Sequence, residues 1–493
     1  MGERPAVAER WSSALASYYM VDIIGLAGFL LLTPRMIAHF GATQYGVLAL
    51  AAGLTGYLGL LDLGIKPALT RMVGAAWAVG ERSRVEALLR LGLAVLSLSG
   101  GLALGAAILI ASDLHTRLSL ADGLAVAPFV VVKGAELAIQ LAGSPFEAAN
   151  YAMDRVVRMN AVRAVARVME VVAGAAALAW SLPLVFLAWA SLATTLVGVV
   201  LQWSTLRERL PGFQPGRVRA PAGMARELAG FAGFYLVNSA VVVLIFRTDE
   251  IVIAGSLSLA AVAIYAPLNQ VAQALMGALA KIPTASGPKL AIHIARQERT
   301  EAADLLRSTL AGTLGAGLVL APVLLFFGRP IASIWLRQEI SFALVASFVA
   351  IIVAHLPVAV ASRYIGAAGI VRSVTMVSVA AGLLNLGLSI VLVQRFGLTG
   401  VAWGTLFAQL ITTTWFNPRV AMRHAGLSLS EVISALMKTA ALPVLVSVAV
   451  AAGAATVLPL VPAALLSVTV AIAAAVRVVA KSRQVAPSGI EHA

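Results

Sequence analysis

The chain has 493 residues, 60% of them hydrophobic and only 12% charged, with a mean hydropathy of +0.93. Soluble domains carry roughly a quarter charged residues, so this composition excludes a water-soluble globular protein and describes a polytopic membrane chain. The net charge of +14 is read as basic loops that set topology rather than as a nucleic-acid surface, and the lack of cysteine excludes disulfides, thiolate metal sites and a cysteine nucleophile.

Apolar segments predict helices near 14–37, 44–66, 88–111, 123–144, 160–181, 183–206, 229–256, 259–281, 304–327, 341–362, 372–394, 398–417, 433–457 and 460–480. Each is close to the roughly 20 apolar residues that a bilayer core demands. The first is too long for a signal-peptide core and has no small-residue cleavage site behind it. The expectation is an all-α fold of about fourteen transmembrane helices with short loops, leaving no room for a soluble catalytic domain.

The longest polar interruption is RERLPGFQPGRVRAPAGMARE, Arg207 to Glu227, whose proline, glycine and arginine continue neither flanking helix. It divides the chain into an N-terminal six-helix lobe (1–206), a cytoplasmic linker (207–227) and a second six-helix lobe (228–424). Two additional helices and a tail follow (425–493). Six is even, so both lobes enter the membrane in the same orientation, related by an axis along its normal. With the N-terminus inside, 29 of the 36 Lys and Arg fall on one side, which places both termini in the cytoplasm.

Local echoes support the repeat. FGATQYGVLALAAGLTGYLGLLDLGI (Phe40 to Ile65) opens the second helix with Tyr45, and Tyr265 opens the eighth after SLSLAAVAI. FGLTGVAWGTLFAQ (Phe396 to Gln409) joins spans eleven and twelve. Glycine in such turns permits positive φ and close helix approach.

The first of these motifs, followed by Arg71, resembles the start of the polysaccharide repeat-unit flippases (O-antigen or Wzx-type). These belong to the multidrug/oligosaccharidyl-lipid/polysaccharide superfamily, with the MATE exporters and the lipid II flippases. NYAMDRVVRMNAVRAVAR, RTDEIVIAGSLSLAAVAIYAPLNQ and FGLTGVAWGTL extend the likeness over residues 10–425. The resemblance implies two six-helix bundles in a MATE-like V, with helices one, two, seven and eight lining a central cavity. It further implies alternating access in a bacterial inner membrane, with undecaprenyl-pyrophosphate-linked oligosaccharide as cargo. A coupling proton or sodium ion, a polysaccharide polymerase and glycosyltransferases are the implied partners, and the last two helices are the extra pair that many flippases carry.

Ionisable groups inside spans are costly and face a cavity or a partner. Asp22 in span one is either a cavity carboxylate or a buried structural hydrogen-bonding group. Arg247, Asp249 and Glu250 sit in span seven, where the planar guanidinium of Arg247 suits a phosphate or sugar acid. In span eight Pro267 stands beside Asn269, Gln270 and Gln273, giving a bent polar helix. Lys133 and Glu136, three residues apart in span four, share a face and are expected to neutralise each other. Asp62 and Lys66 are read as an i,i+4 pair at the inner end of span two, with Lys66 also placed to meet a pyrophosphate. Arg163, Arg167 and Glu170 form a stripe on span five. The cavity set is therefore Asp22, Lys66, Arg247, Asp249, Asn269 and Gln273, with Lys133 and Glu136 as a buried pair.

No P-loop, HExxH or acidic metal cluster occurs in the sequence, so no catalytic, cofactor or metal residue is assigned. Two rivals to the flippase stand: a MATE-like exporter of small organic molecules, with an anionic cavity, and an integral membrane glycan polymerase, which needs a large extramembrane loop with catalytic carboxylates.

Overall fold

The computed structural model describes residues 3–117, 120–216, 223–233, 236 and 248–484. Among these there are helices and turns and no strand. The helices are α1 (Glu3–Leu58), α2 (Ile65–Ala78), α3 (Arg82–Arg117), α4 (Leu120–Ala152), α5 (Val156–Ala179), α6 (Leu184–Arg207) and α7 (Thr248–Ser256). Then come α8 (Leu259–Ala295), α9 (Arg299–Leu336), α10 (Phe342–Ala368), α11 (Val371–Ile411), α12 (Thr413–Ala425), α13 (Leu429–Val457) and α14 (Leu460–Gln484). Ten stretches among the described residues are long and apolar enough to cross a membrane.

Two of these helices each hold two of the spans expected from sequence, broken at a glycine. Gly41 has φ 82° and ψ 160° within α1, and Gly397 has φ 57° and ψ −136° within α11. Each follows a phenylalanine (Phe40, Phe396), and each needs a residue without Cβ to hold positive φ. The turn before Tyr265 is built differently. There Ser258 caps α8, its hydroxyl accepting the Ala261 amide at 3.1 Å, which satisfies one of the orphan donors of the first turn.

The second span departs from expectation at its inner end. The sequence pattern ends it at 66, with a loop beyond. Instead a 3-10 turn (Gly59–Asp62) and two left-handed residues, Leu63 and Gly64, redirect the chain, and α2 continues to Ala78. Lys66 and Arg71 interrupt the apolar run. Yet Ile65, Ala68, Leu69, Met72, Val73 and Ala76 recur at helical spacing and are buried, so the segment is an amphipathic helix packed on its neighbours.

The chain separates into two compact units, Met1–Val243 and Leu244–Ala493. In the first, α3 and α4 pack along their length around Leu88, Leu89 and Leu96. The proline-rich segment after α6 joins this core through Leu210 and Phe213, with Trp203 edge-on to Phe213 at 5.8 Å and Arg90 donating to the Gln214 carbonyl at 3.3 Å. Each of these two buried side chains contributes about 1.5–3 kcal/mol, enough to pin the segment against α3 and α6. In the second unit α9 packs against α10, α13 and α14, while α7 packs on α8 and α11. That α7–α8–α11 group encloses the polar site.

Candidate functional site

Asp249 and Glu250 open α7, and only 3% and 4% of their surfaces are exposed. Holding a carboxylate away from water costs several kcal/mol unless other groups replace its hydration. The groups that replace it for Asp249 are neutral hydroxyls. Its Oδ2 accepts from the Tyr265 hydroxyl at 2.6 Å and from Thr405 Oγ1 at 3.2 Å, and no ion pair reaches it among the described residues. Glu250 Oε1 accepts from Asn269 Nδ2 at 3.3 Å. Tyr265 and Asn269 are four residues apart on α8, so one face of that helix serves both acids.

The remaining groups come from α11, which folds back on itself at Gly397. Asn385 Oδ1 lies 3.1 Å from Ser389 Oγ on the first half and 3.1 Å from Thr405 Oγ1 on the second. Ser389 Oγ also lies 3.4 Å from the Val401 carbonyl. The two halves approach this closely because Gly400 and Gly404 carry no side chain. A Cβ at Gly404 would stand 2.4 Å from Ser389 Oγ, and one at Gly400 only 2.2 Å from the Leu392 carbonyl oxygen.

Thr405 has one hydroxyl proton, yet its oxygen lies within 3.5 Å of three acceptors: Asp249 Oδ2, Asn385 Oδ1 and the Val401 carbonyl. Asp249 Oδ1 is buried and accepts no hydrogen bond among the described residues. One turn beyond Thr405, Gln409 is 3% exposed, and neither its amide nitrogen nor its amide oxygen has a partner among the described residues. A carboxylate, an amide oxygen, a hydroxyl and a backbone carbonyl converge here, with one carboxylate oxygen left without a partner among the described residues, and form a hard-oxygen set. Such a set fits a small hard cation, held by Asp249, Asn385, Thr405 and the Val401 carbonyl. Among the described residues no group of three or more histidine or carboxylate side chains is placed to hold a metal, so the fit is to one carboxylate with neutral oxygens.

The first unit supplies an internal contrast. Tyr45, the counterpart of Tyr265 in the sequence echo, is also buried, but its hydroxyl meets Thr33 Oγ1 at 3.4 Å. Tyr45 therefore meets a neutral hydroxyl where Tyr265 meets an acid.

The other residues singled out from sequence are dispersed. Lys133 Nζ binds Glu136 Oε2 at 2.5 Å, as its spacing predicts, and Ser191 and Thr195 of α6 complete the network at 2.9 and 3.4 Å from Glu136 Oε1. Lys66 departs from expectation. Its ammonium pairs with Glu147 of α4 at 2.6 Å, while Asp62 accepts only its backbone amide at 3.3 Å. The break at Leu63 and Gly64 falls between the two residues and disrupts the helical i,i+4 geometry. Arg163 reaches the other oxygen of Glu147 at 2.5 Å, leaving Arg167 and Glu170 as an exposed pair at 2.7 Å. Asp22 is exposed on α1, and Gln273 is half-buried on α8. Arg247 lies outside the described residues. Of the expected cavity set, the structure thus joins Asp249 and Asn269, through Glu250 and Tyr265, and adds Asn385, Ser389 and Thr405.

No protein-family model matches the chain, and no curated protein matches its sequence. Solved structures do. The lipid II flippase MurJ in an inward closed conformation superposes with a TM-score of 0.69 at 11% identity, over 96% of this chain and 99% of that one. An inward-facing multidrug resistance MATE-family transporter of the MOP superfamily gives 0.57 at 15% identity, covering 87% and 98%. A eukaryotic MATE transporter gives 0.56 at 13%, covering 86% and 99%. At these identities the likeness is one of architecture, and the fold of this chain is the one shared by MurJ and the MATE transporters.

Proposed function

We propose that the chain is a cation-coupled flippase that carries a polyprenyl-pyrophosphate-linked oligosaccharide across a bacterial inner membrane by alternating access, both termini being cytoplasmic. The observation that carries the reading is the buried Asp249 cluster, an acid held in apolar helices by neutral hydroxyls, with one carboxylate oxygen left without a partner among the described residues. A site of this kind is suited to take a cation from one side and release it to the other, because occupancy decides whether the acid is neutralised. Sodium is taken as the occupant because a carboxylate, an amide oxygen and a hydroxyl converge there, and a proton held by Asp249 is the alternative. No nucleotide-binding motif is present to supply another energy source.

The fold supports a transporter over an enzyme. The lipid-linked cargo is supported by the likeness to the lipid II flippase over nearly the whole chain. On this reading Lys66, which is paired with Glu147, and Arg247, which lies outside the described residues, are the cations proposed to meet the pyrophosphate, and polymerase and glycosyltransferases are the partners such a cargo requires.

The test is transport by the purified chain in sealed proteoliposomes holding a pyrophosphate-linked oligosaccharide lipid, with and without a sodium gradient. Gradient-dependent exposure of the sugar, lost in Asp249→Asn, is expected. Sodium-driven efflux of an organic cation with no movement of the glycolipid assigns the chain to the exporters instead.

A further inference from the structure

A second polar site lies in the second unit, apart from the α7–α8–α11 cluster. A cavity of about 500 Å³ opens between the starts of α9 and α13, lined by Arg307, Ser430, Glu431, Ser434, Ala435 and Lys438. Both helices begin at the end where the sequence collects its basic residues. Glu431 is held at the start of α13, where its Oε2 accepts the Ser428 amide at 2.7 Å and the Ser428 hydroxyl at 2.6 Å to close a capping box, and Arg307 lies near enough to act on its charge. Arg307 is held by Asp304 of the preceding turn at 2.7 Å, which fixes its guanidinium beside the cavity. Lys481 of α14 donates to the Lys438 carbonyl at 3.0 Å and brings a further positive charge to the same end.

The pattern along α13 indicates what kind of anion fits. Ser430, Ser434 and Lys438 recur every four residues and line the cavity. Leu429, Ile433 and Met437 recur in the same register one residue earlier, and all three are exposed large apolar side chains. One strip of the helix therefore offers hydroxyls and an ammonium, and the strip beside it, at the same height, offers apolar surface that Leu442 and Leu445 continue along the span. A free phosphate uses only the first strip, whereas a phospholipid uses both. Basic pockets between membrane helices at the cytoplasmic end bind anionic head groups.

We infer that this cavity binds the phosphate of an anionic phospholipid head group, with an acyl chain laid along Leu429, Ile433 and Met437. The site is independent of the cation cluster and of the cargo.

The test uses the full chain in a neutral detergent, with phosphatidylglycerol, phosphatidylcholine or inorganic phosphate added. Bound lipid is counted by native mass spectrometry, and thermal unfolding is followed in parallel. Phosphatidylglycerol is expected to be retained and to raise the unfolding temperature, with phosphatidylcholine held more weakly. Lys438→Gln weakens phosphatidylglycerol by about fivefold, the loss expected from one cation at the interface. Ser434→Leu, an exposed position where the larger side chain fills the cavity mouth, abolishes the difference between the two lipids. Stabilisation by inorganic phosphate equal to that by phosphatidylglycerol overturns the lipid assignment in favour of a free-anion site. Unchanged phosphatidylglycerol retention in both variants overturns the site itself.

Discussion

Gly404→Ala probes the geometry of the cation cluster without touching a ligand. The added methyl carbon would lie 2.4 Å from Ser389 Oγ, 2.7 Å from its amide nitrogen and 2.9 Å from its Cα, against 3.4 Å where ordinary contact begins. Two of those atoms are backbone and cannot rotate away, so the halves of α11 must part by about 1 Å, an overpacking strain of about 1–3 kcal/mol. Thr405 and Asn385, now 3.1 Å apart, are then displaced relative to each other by about 1 Å, and an ion that holds oxygens within the narrow range of roughly 2.3–2.6 Å cannot keep all of them in contact. Losing one ligand at about 1.4 kcal/mol or more weakens sodium at least about tenfold. Gly387→Ala, also on α11 but with nothing within 4 Å of its new Cβ, is the matched control and should be neutral or stabilising by about 0.5–1 kcal/mol. Sodium-dependent protection against thermal unfolding in detergent reads both. Wild-type protection in Gly404→Ala refutes the claim that the close hairpin builds the site.

Three further outcomes follow from other parts of the fold. Lys133→Met alone leaves Glu136 in an apolar setting and should destabilise by roughly 3 kcal/mol, at the low end of such effects because the two side chains keep 19% and 14% exposure. The double variant with Glu136→Leu should recover most of that loss in the same denaturation assay. Glu147→Gln removes the carboxylate shared by Lys66 and Arg163 and frees both cations, so accessibility of Lys66 to an amine reagent should rise. Glu208 bridges Arg155 and Arg158 just beyond α6, and the hydrogen bonds these arginines donate hold its carboxyl below the usual range. Its folded pKa is depressed, so its contribution is complete above the unfolded value of about 4.3 and is lost as pH falls through the lower folded value. Glu208→Gln should therefore lower stability near neutrality, flatten the acid limb of the profile and match the wild type below the folded value.

Much of the fold was legible in the sequence because helices that cross a bilayer must be long and apolar, and hydropathy marks them directly. The glycines at 41 and 397 announced their turns for a similar reason, since few other residues hold positive φ. The course of α2 was harder to read, because Lys66 and Arg71 mask an amphipathic helix whose buried face lies against protein. At the site, Asp249 and Asn269 stood out as polar groups in apolar spans. Asn385, Ser389 and Thr405 did not, since a single small polar residue in a membrane helix usually satisfies itself on a nearby carbonyl. Their meaning comes from a hairpin that brings residues twenty positions apart within 3.1 Å, and its sequence signal is the Gly400 and Gly404 pair inside FGLTGVAWGTLFAQ. Glu147 was hidden for a related reason, since its partner Lys66 lies 81 residues away and had a nearer acid in the chain.

The central claim is that Asp249 anchors a cation. Equilibrium binding of radioactive sodium to the purified full chain tests it most directly. One sodium per chain is expected, abolished in Asp249→Asn and weakened in Thr405→Val. Equal sodium retention by wild type and Asp249→Asn, or none by either, would contradict it.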